Sequence, residues 1–201
     1  ALVAGLADAL EHAQQDPEVR AVVITGSDRA FCAGAHIPEV LALREALTAD
    51  PDAEVYLDRL FDLLAASPQP VIAAVRGLAL GGGCELALAC DLVVAAEHAS
   101  FGLPEVQRGL IAAAGGLYRL PRAIPRHLAI ELALTGDALD AARAQQWGLV
   151  NRKVPAPLVR QTALDLAARI ARSARARLDE AVALAAATAE RERLAREVHD
   201  G

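Results

Sequence analysis

The stretch "LALGGGCELALACDLVV", residues 78–94, decides the fold. A short apolar run meets three consecutive glycines, Gly81 to Gly83, and Glu85 then stands on the first turn of an alanine- and leucine-rich helical pattern. Just upstream, "PVIAAVRG" is a β-branched run of strand character, and "DLVVAAE" downstream is another. Strand, glycines, helix, strand is the local order, and its repetition along the chain predicts an α/β fold.

Three uses of the glycines can be weighed. A dinucleotide-phosphate cradle needs G-x-G-x-x-G, but the frame from Gly81 gives Gly81, Gly83 and then Leu86, and no Gly-Lys-Ser/Thr occurs anywhere. A tight turn with close backbone approach needs no ligand at all. The third use fits best. Free N–H groups at a helix N-terminus can stabilise charge developing on a substrate carbonyl oxygen, forming an oxyanion hole. Such a hole needs a second donor, and the small-residue loop "FCAGAH" after the strand "VVITG" is the natural source. Glu85 sharpens the reading, because an acid is rarely placed on so apolar a helix without a partner or a task.

Working outward, "LVAGLADALEHAQQ" is an amphipathic opening helix that lacks an N-cap residue, so chain is expected upstream of it. "SDRAFCAGAH" reads as a loop. "IPEVLALREALTAD" and "EVYLDRLFDLLAAS" read as two helices. "SFGLPEVQRGL" reads as a strand end leading into a loop that carries Glu105, and "GGLYRLPRAI", "RHLAIELALTG" and "LDAARAQQWG" as successive short helices before the strand "LVNRKV". Residues 156–198 are helical in pattern and rich in Ala and Arg, an arm expected to pack on another subunit. The chain is therefore divided into a core, 1–155, and a C-terminal helical region, 156–201.

With 54% apolar but only 3% aromatic residues, the core must be built from Ala, Leu, Val and Ile. A net charge of −6 and the lack of a basic block argue against nucleic acid or an anionic membrane as partner. Cys32, Cys84 and Cys90 form no CxxC pair and leave one unpaired under any disulfide scheme, which suits a reducing compartment. No run reaches the ~18 apolar residues of a membrane span, and no signal-peptide pattern opens the chain, so a cytoplasmic protein is expected. The histidines show no metal-ligand spacing.

The blocks "AFCAGAHIPEV", "PVIAAVRGLALGGGCELALACDLVVAAEHASFGLPEV", "AAAGGLYRL", "LTGD" and "GLVNRKV", in this order, resemble the enoyl-CoA hydratase/isomerase, or crotonase, family. The similarity covers residues 1 to about 155. It implies a crotonase-like spiral of ββα units with C-terminal helices that assemble a homotrimer or a dimer of trimers. The activity it implies is reversible hydration of a 2-enoyl-CoA to a 3-hydroxyacyl-CoA, with the coenzyme A thioester as substrate and neither metal nor redox cofactor.

By the same resemblance, the backbone N–H groups of Ala35 and Gly82 hold the thioester oxygen, Glu85 handles the attacking water, and Glu105 delivers the α-carbon proton. Ala33, His36, Ile37, Pro38, Gly81, Pro104 and Ala113 fall at substrate-binding positions. Two acids are more than family isomerases generally use, which tilts the reading to a hydratase; an isomerase, a thioester hydrolase and a non-catalytic acyl-CoA-binding subunit are the alternatives. The match has departures. His36 replaces the usual Asp or Asn, Pro38 a frequent lysine, and Ala113 a glycine. The family's N-terminal strands have no counterpart here, and the chain beyond Ser173 matches the family's last helices poorly.

Overall fold

A computed structural model describes residues 2–34 and 56–173. Helix α1 (Leu2–Gln15) buries Ala7 and Leu10 and lies beside α2 (Tyr56–Ala65), where Arg59 reaches Asp8 at 2.7 Å and Glu11 at 2.6 Å. The predicted helix over residues 37–50 lies outside the described residues.

Two four-stranded sheets form the body. The first has the order β1 (Val22–Thr25), β3 (Val71–Val75), β5 (Leu92–Ala96), β8 (Arg152–Val154), all parallel. The second has the order β2 (Ala30–Cys32), β4 (Leu78–Leu80), β6 (Ser100–Gly102), β7 (Ala138–Asp140), parallel except for the β6–β7 pair. From β1 to β6 successive strands alternate between the sheets, so β1–β2, β3–β4 and β5–β6 each contribute one rung to both, and helices close the turns of the spiral. This is the expected crotonase-like architecture.

The central strands of the first sheet, β3 and β5, are buried on both faces and read as continuous apolar runs, as parallel strands do. Ala73, Ala74, Ala95 and Ala96 are wholly buried, and these small side chains let neighbouring layers approach closely. The three phenylalanines are spent at depth, and Phe101 is among the largest fully buried side chains.

The remaining helices are α3 (Gly82–Ala89), α4 (Gly116–Ala123), α5 (Arg126–Thr135) and α6 (Ala141–Gln146), followed by a helix α7 that runs from 159 to the last described residue, 173. Val159 and Ala163 of α7 are fully buried, and Leu166, Ala167 and Ile170 pack against the same core. Residues 174–201 lie outside the described residues.

Several local expectations change. The supposed loop "SDRAFCAGAH" contains β2, with a register irregularity at its middle; β4 intervenes between "PVIAAV" and the glycines; and β7 precedes α6. Each is a strand of three residues, formed by a neighbouring ladder rather than by its own pattern. Glu105 rides on a 3-10 turn, Pro104–Arg108, instead of an open loop.

Candidate active site

The glycine triplet joins the second sheet to α3. Gly81, at the helix N-cap, adopts φ 56° and ψ −128°, a conformation that side-chain-bearing residues rarely take. Its N–H donates to the Gly102 carbonyl at 2.9 Å, and its own carbonyl accepts from Cys84 at 2.8 Å and Glu85 at 3.0 Å. Gly82 and Gly83 therefore open α3 with N–H groups that have no acceptor within the helix. Gly83 fits because it has no side chain: a Cβ there would stand 1.9 Å from the Cys32 carbonyl oxygen. A Cβ on Gly82 would meet nothing within 4 Å among the described residues, so none of them occupies the place of a side chain there.

Contact with β2 brings the second expected segment to the same place. Gly34, two residues past the end of β2, has φ 100°; a Cβ on it would lie 3.1 Å from the Leu80 carbonyl and 3.9 Å from Gly81 Cα. Ala33 precedes it and is exposed. Ala35, His36, Ile37 and Pro38 lie outside the described residues.

The two acids flank the triplet. Glu85, one turn into α3, is only 3% exposed, and its Oε1 accepts the Gly116 N–H at 2.9 Å. Gly116 opens α4, and a Cβ there would press on Glu85 Cγ at 3.0 Å. On the other side, Glu105 is half-buried and follows Pro104, the first residue of its 3-10 turn. A Cβ on Gly81 would lie 3.0 Å from Glu105 Oε1 and 3.7 Å from Gly34 Cα, so this carboxyl sits directly over the glycine turn. Glu105 Oε2 is buried and has no hydrogen-bond partner among the described residues.

Both carboxyls bind protons more tightly than ordinary glutamates. For Glu85 the main cause is desolvation; the Gly116 N–H opposes it, the nearby Glu105 adds to it, and the Ala114 N–H and Arg119 oppose it. For Glu105 desolvation again leads, opposed by its own backbone N–H and by Arg108. Desolvation thus favours the protonated form of both acids, and the charge of Glu105 adds to that preference at Glu85. Cys84, between the glycines and Glu85, is no rival nucleophile, because burial pushes its thiol up to about 12.

Sequence reasoning assigned Ala113 to this region but passed over its neighbours. Ala113 is exposed in the turn before α4, whereas Gly116, three residues on, is what touches Glu85. The Gly115–Gly116 pair ahead of a helix was the available signal. No group of three metal-ligating side chains occurs among the described residues, and no helix among them is long and apolar enough to cross a membrane.

A family model described as enoyl-CoA hydratase/isomerase matches residues 1–200. A probable enoyl-CoA hydratase of Mycobacterium bovis is 50% identical over 143 residues, 70% of this chain and 53% of that protein, so the chain spans about half the length of this relative. Among solved structures, an enoyl-CoA hydratase subunit from Geobacillus kaustophilus superposes with a TM-score of 0.77 at 42% identity, covering 85% of this chain and 65% of that one. A carnitinyl-CoA dehydratase from Mycobacterium avium does so with a TM-score of 0.72 at 53% identity, covering 84% and 65%.

Proposed function

Because this chain belongs to the enoyl-CoA hydratase/isomerase family, we propose that it adds water reversibly to a 2-enoyl-CoA, giving the 3-hydroxyacyl-CoA. The observation that carries this reading is the pair of desolvated glutamates on either side of an open helix N-terminus. Hydration of a conjugated thioester needs those parts. Glu85, held by the Gly116 N–H, takes a proton from water as the oxygen attacks the β-carbon. Electron density moves to the thioester oxygen, where the Gly82 N–H and the positive end of α3 stabilise it, with the Ala35 N–H as the second donor. Glu105 then gives its proton to the α-carbon, and proton exchange between the carboxyls restores the starting state. The reaction balances with thioester, water and two carboxyls alone.

Gly81 and Gly34 keep side chains away from the thioester, and Ala33, His36, Ile37, Pro38, Pro104 and Ala113 would line the approach. The names of similar proteins, hydratase and dehydratase, describe the two directions of this chemistry and support the reading. For the assembly we infer a trimer or dimer of trimers, supported by apolar side chains left exposed on α4 and α5, Leu117, Tyr118 and Leu134. A cytoplasmic location is part of the reading, supported by three free cysteines.

Incubation with crotonyl-CoA tests the proposal. Loss of the conjugated absorbance, with 3-hydroxybutyryl-CoA as product, is expected. Release of free coenzyme A would point instead to a hydrolase, conversion of 3-enoyl substrates alone to an isomerase, and binding without turnover to a non-catalytic subunit.

A further inference from the structure

The turn that grips Glu85 is itself held from one place. Arg119, on the first turn of α4, donates through its backbone N–H to the Gly115 carbonyl at 2.9 Å and through Nη1 to the Ala114 carbonyl at 2.8 Å. Its side chain folds back across Gly115: a Cβ on that glycine would fall 2.1 Å from Nη1, so a side chain there would collide with the guanidinium. The other face of the group is sandwiched. Its central carbon lies 5.3 Å from the ring centroid of Phe61, a buried residue of α2, and 4.7 Å from that of Tyr118. Arginine suits this place because a planar cation can stack on aromatic faces while its edge donates to a carbonyl. Helix α2, the turn before α4 and the carboxylate of Glu85 are thus linked through one guanidinium.

We propose that Arg119 is a positioning residue for Glu85: it fixes the Ala114–Gly116 turn so that the Gly116 N–H meets the carboxylate, and it keeps a permanent positive charge beside that turn. The proposal rests on the hydration reading for its kinetic consequence but not for its electrostatic one. Among the described residues, the charged groups facing Glu85 are Glu105 from the 3-10 turn and Arg119 from α4, and they act in opposite directions. Removing Arg119 leaves Glu105 unopposed. The Glu85 carboxylate then becomes harder to form and less well aimed.

The test compares Arg119→Met, which keeps bulk against Phe61 but loses charge and donor, with Arg119→Lys, which keeps the charge but loses the planar stack. Two readouts are taken on each folded variant: kcat and KM for crotonyl-CoA across pH, and the titration of the Glu85 carboxyl by carbon-13 NMR, assigned with Glu85→Gln. For Arg119→Met the expected result is a fall in kcat of about ten- to a hundredfold with KM little changed. The acid limb of the profile and the Glu85 titration should both move to higher pH. Arg119→Lys should recover most of the titration and part of kcat. A Glu85 titration unmoved in Arg119→Met, with or without a loss of rate, overturns the proposal, as does Arg119→Lys behaving like Arg119→Met in the titration. Should the unmodified protein not hydrate crotonyl-CoA, the hydratase reading fails, while the carboxyl titration still decides the role of Arg119.

Discussion

Glu85 and Glu105 are the same residue type on either side of one glycine turn, and the fold treats them differently. Glu85 is sealed into a helix inside the core, with one oxygen bonded to a backbone N–H whose turn is clamped by Arg119. Glu105 rides on a five-residue 3-10 turn tethered at its far side by Gln107, and one of its oxygens has no described partner. Under the proposed hydration the difference would divide the work: the fixed carboxylate of Glu85 would orient water, and Glu105, one oxygen of which meets no described partner, would handle the proton at carbon.

The largest expected effects come from neutralising each acid. Glu85→Gln and Glu105→Gln should each lower kcat for hydration by about 10²- to 10⁴-fold, read from initial rates with crotonyl-CoA. Glu85→Gln keeps an oxygen able to accept the Gly116 N–H, so its fold should survive and its loss should be chemical. Full activity in either variant would break the assignment of paired roles.

A second pair of variants separates the turn's structural duty from its exposure to substrate. Gly83→Ala drives a methyl group into the Cys32 carbonyl, and stability should fall by about 1–3 kcal/mol, seen as a lower urea midpoint. Gly82→Ala meets no described atom, so its stability should stay within about 0.5 kcal/mol of the parent. Its cost should fall on substrate instead, as a raised KM.

The proton affinities give a third test, smaller in size. A carboxyl whose folded-state pKa is raised favours the folded state most at pH below the ordinary glutamate value of about 4.3, and that advantage is lost as pH rises through the elevated folded value. Both acids are raised, so the fold resists the charge on each of them once it ionises. Glu85→Gln should therefore raise the melting temperature at neutral pH, and the gain should shrink in acid; Glu105→Gln should do the same more weakly, because it is less buried. A gain independent of pH would show that charge burial is not its source.

The smallest effect belongs to the tether. Gln107 donates to the carbonyls of Thr135 and Gly136, both at 3.1 Å, and Gln107→Ala should cost about 0.5–1.5 kcal/mol in a thermal melt. The accompanying loss of rate should be far below that of Glu105→Gln.

Much of this architecture could be read from the chain, for reasons that differ by element. β3 and β5 were visible because a doubly buried strand must be a continuous run such as "VIAAV", and β1 because "VVIT" is β-branched throughout. β2, β4 and β7 were not, since three residues cannot display a period and their conformation is imposed by the ladder beside them. Glu85 stood out as an acid in an apolar helix, but Glu105 was picked out by resemblance, its own surroundings reading as a loop. The donor to Glu85 left only the Gly115–Gly116 pair ahead of a helix as its trace, because a backbone N–H has no letter of its own. Arg119 was hidden by number, one arginine among many in a chain with a single lysine.

The two halves of the proposed thioester cradle are far apart in sequence, but the strands that lead to them are adjacent in the sheet, with Ala30 opposite Leu78 and Cys32 opposite Ala79. Their alignment is inherited through strand pairing, so the connection between them need not preserve its length or composition to keep it.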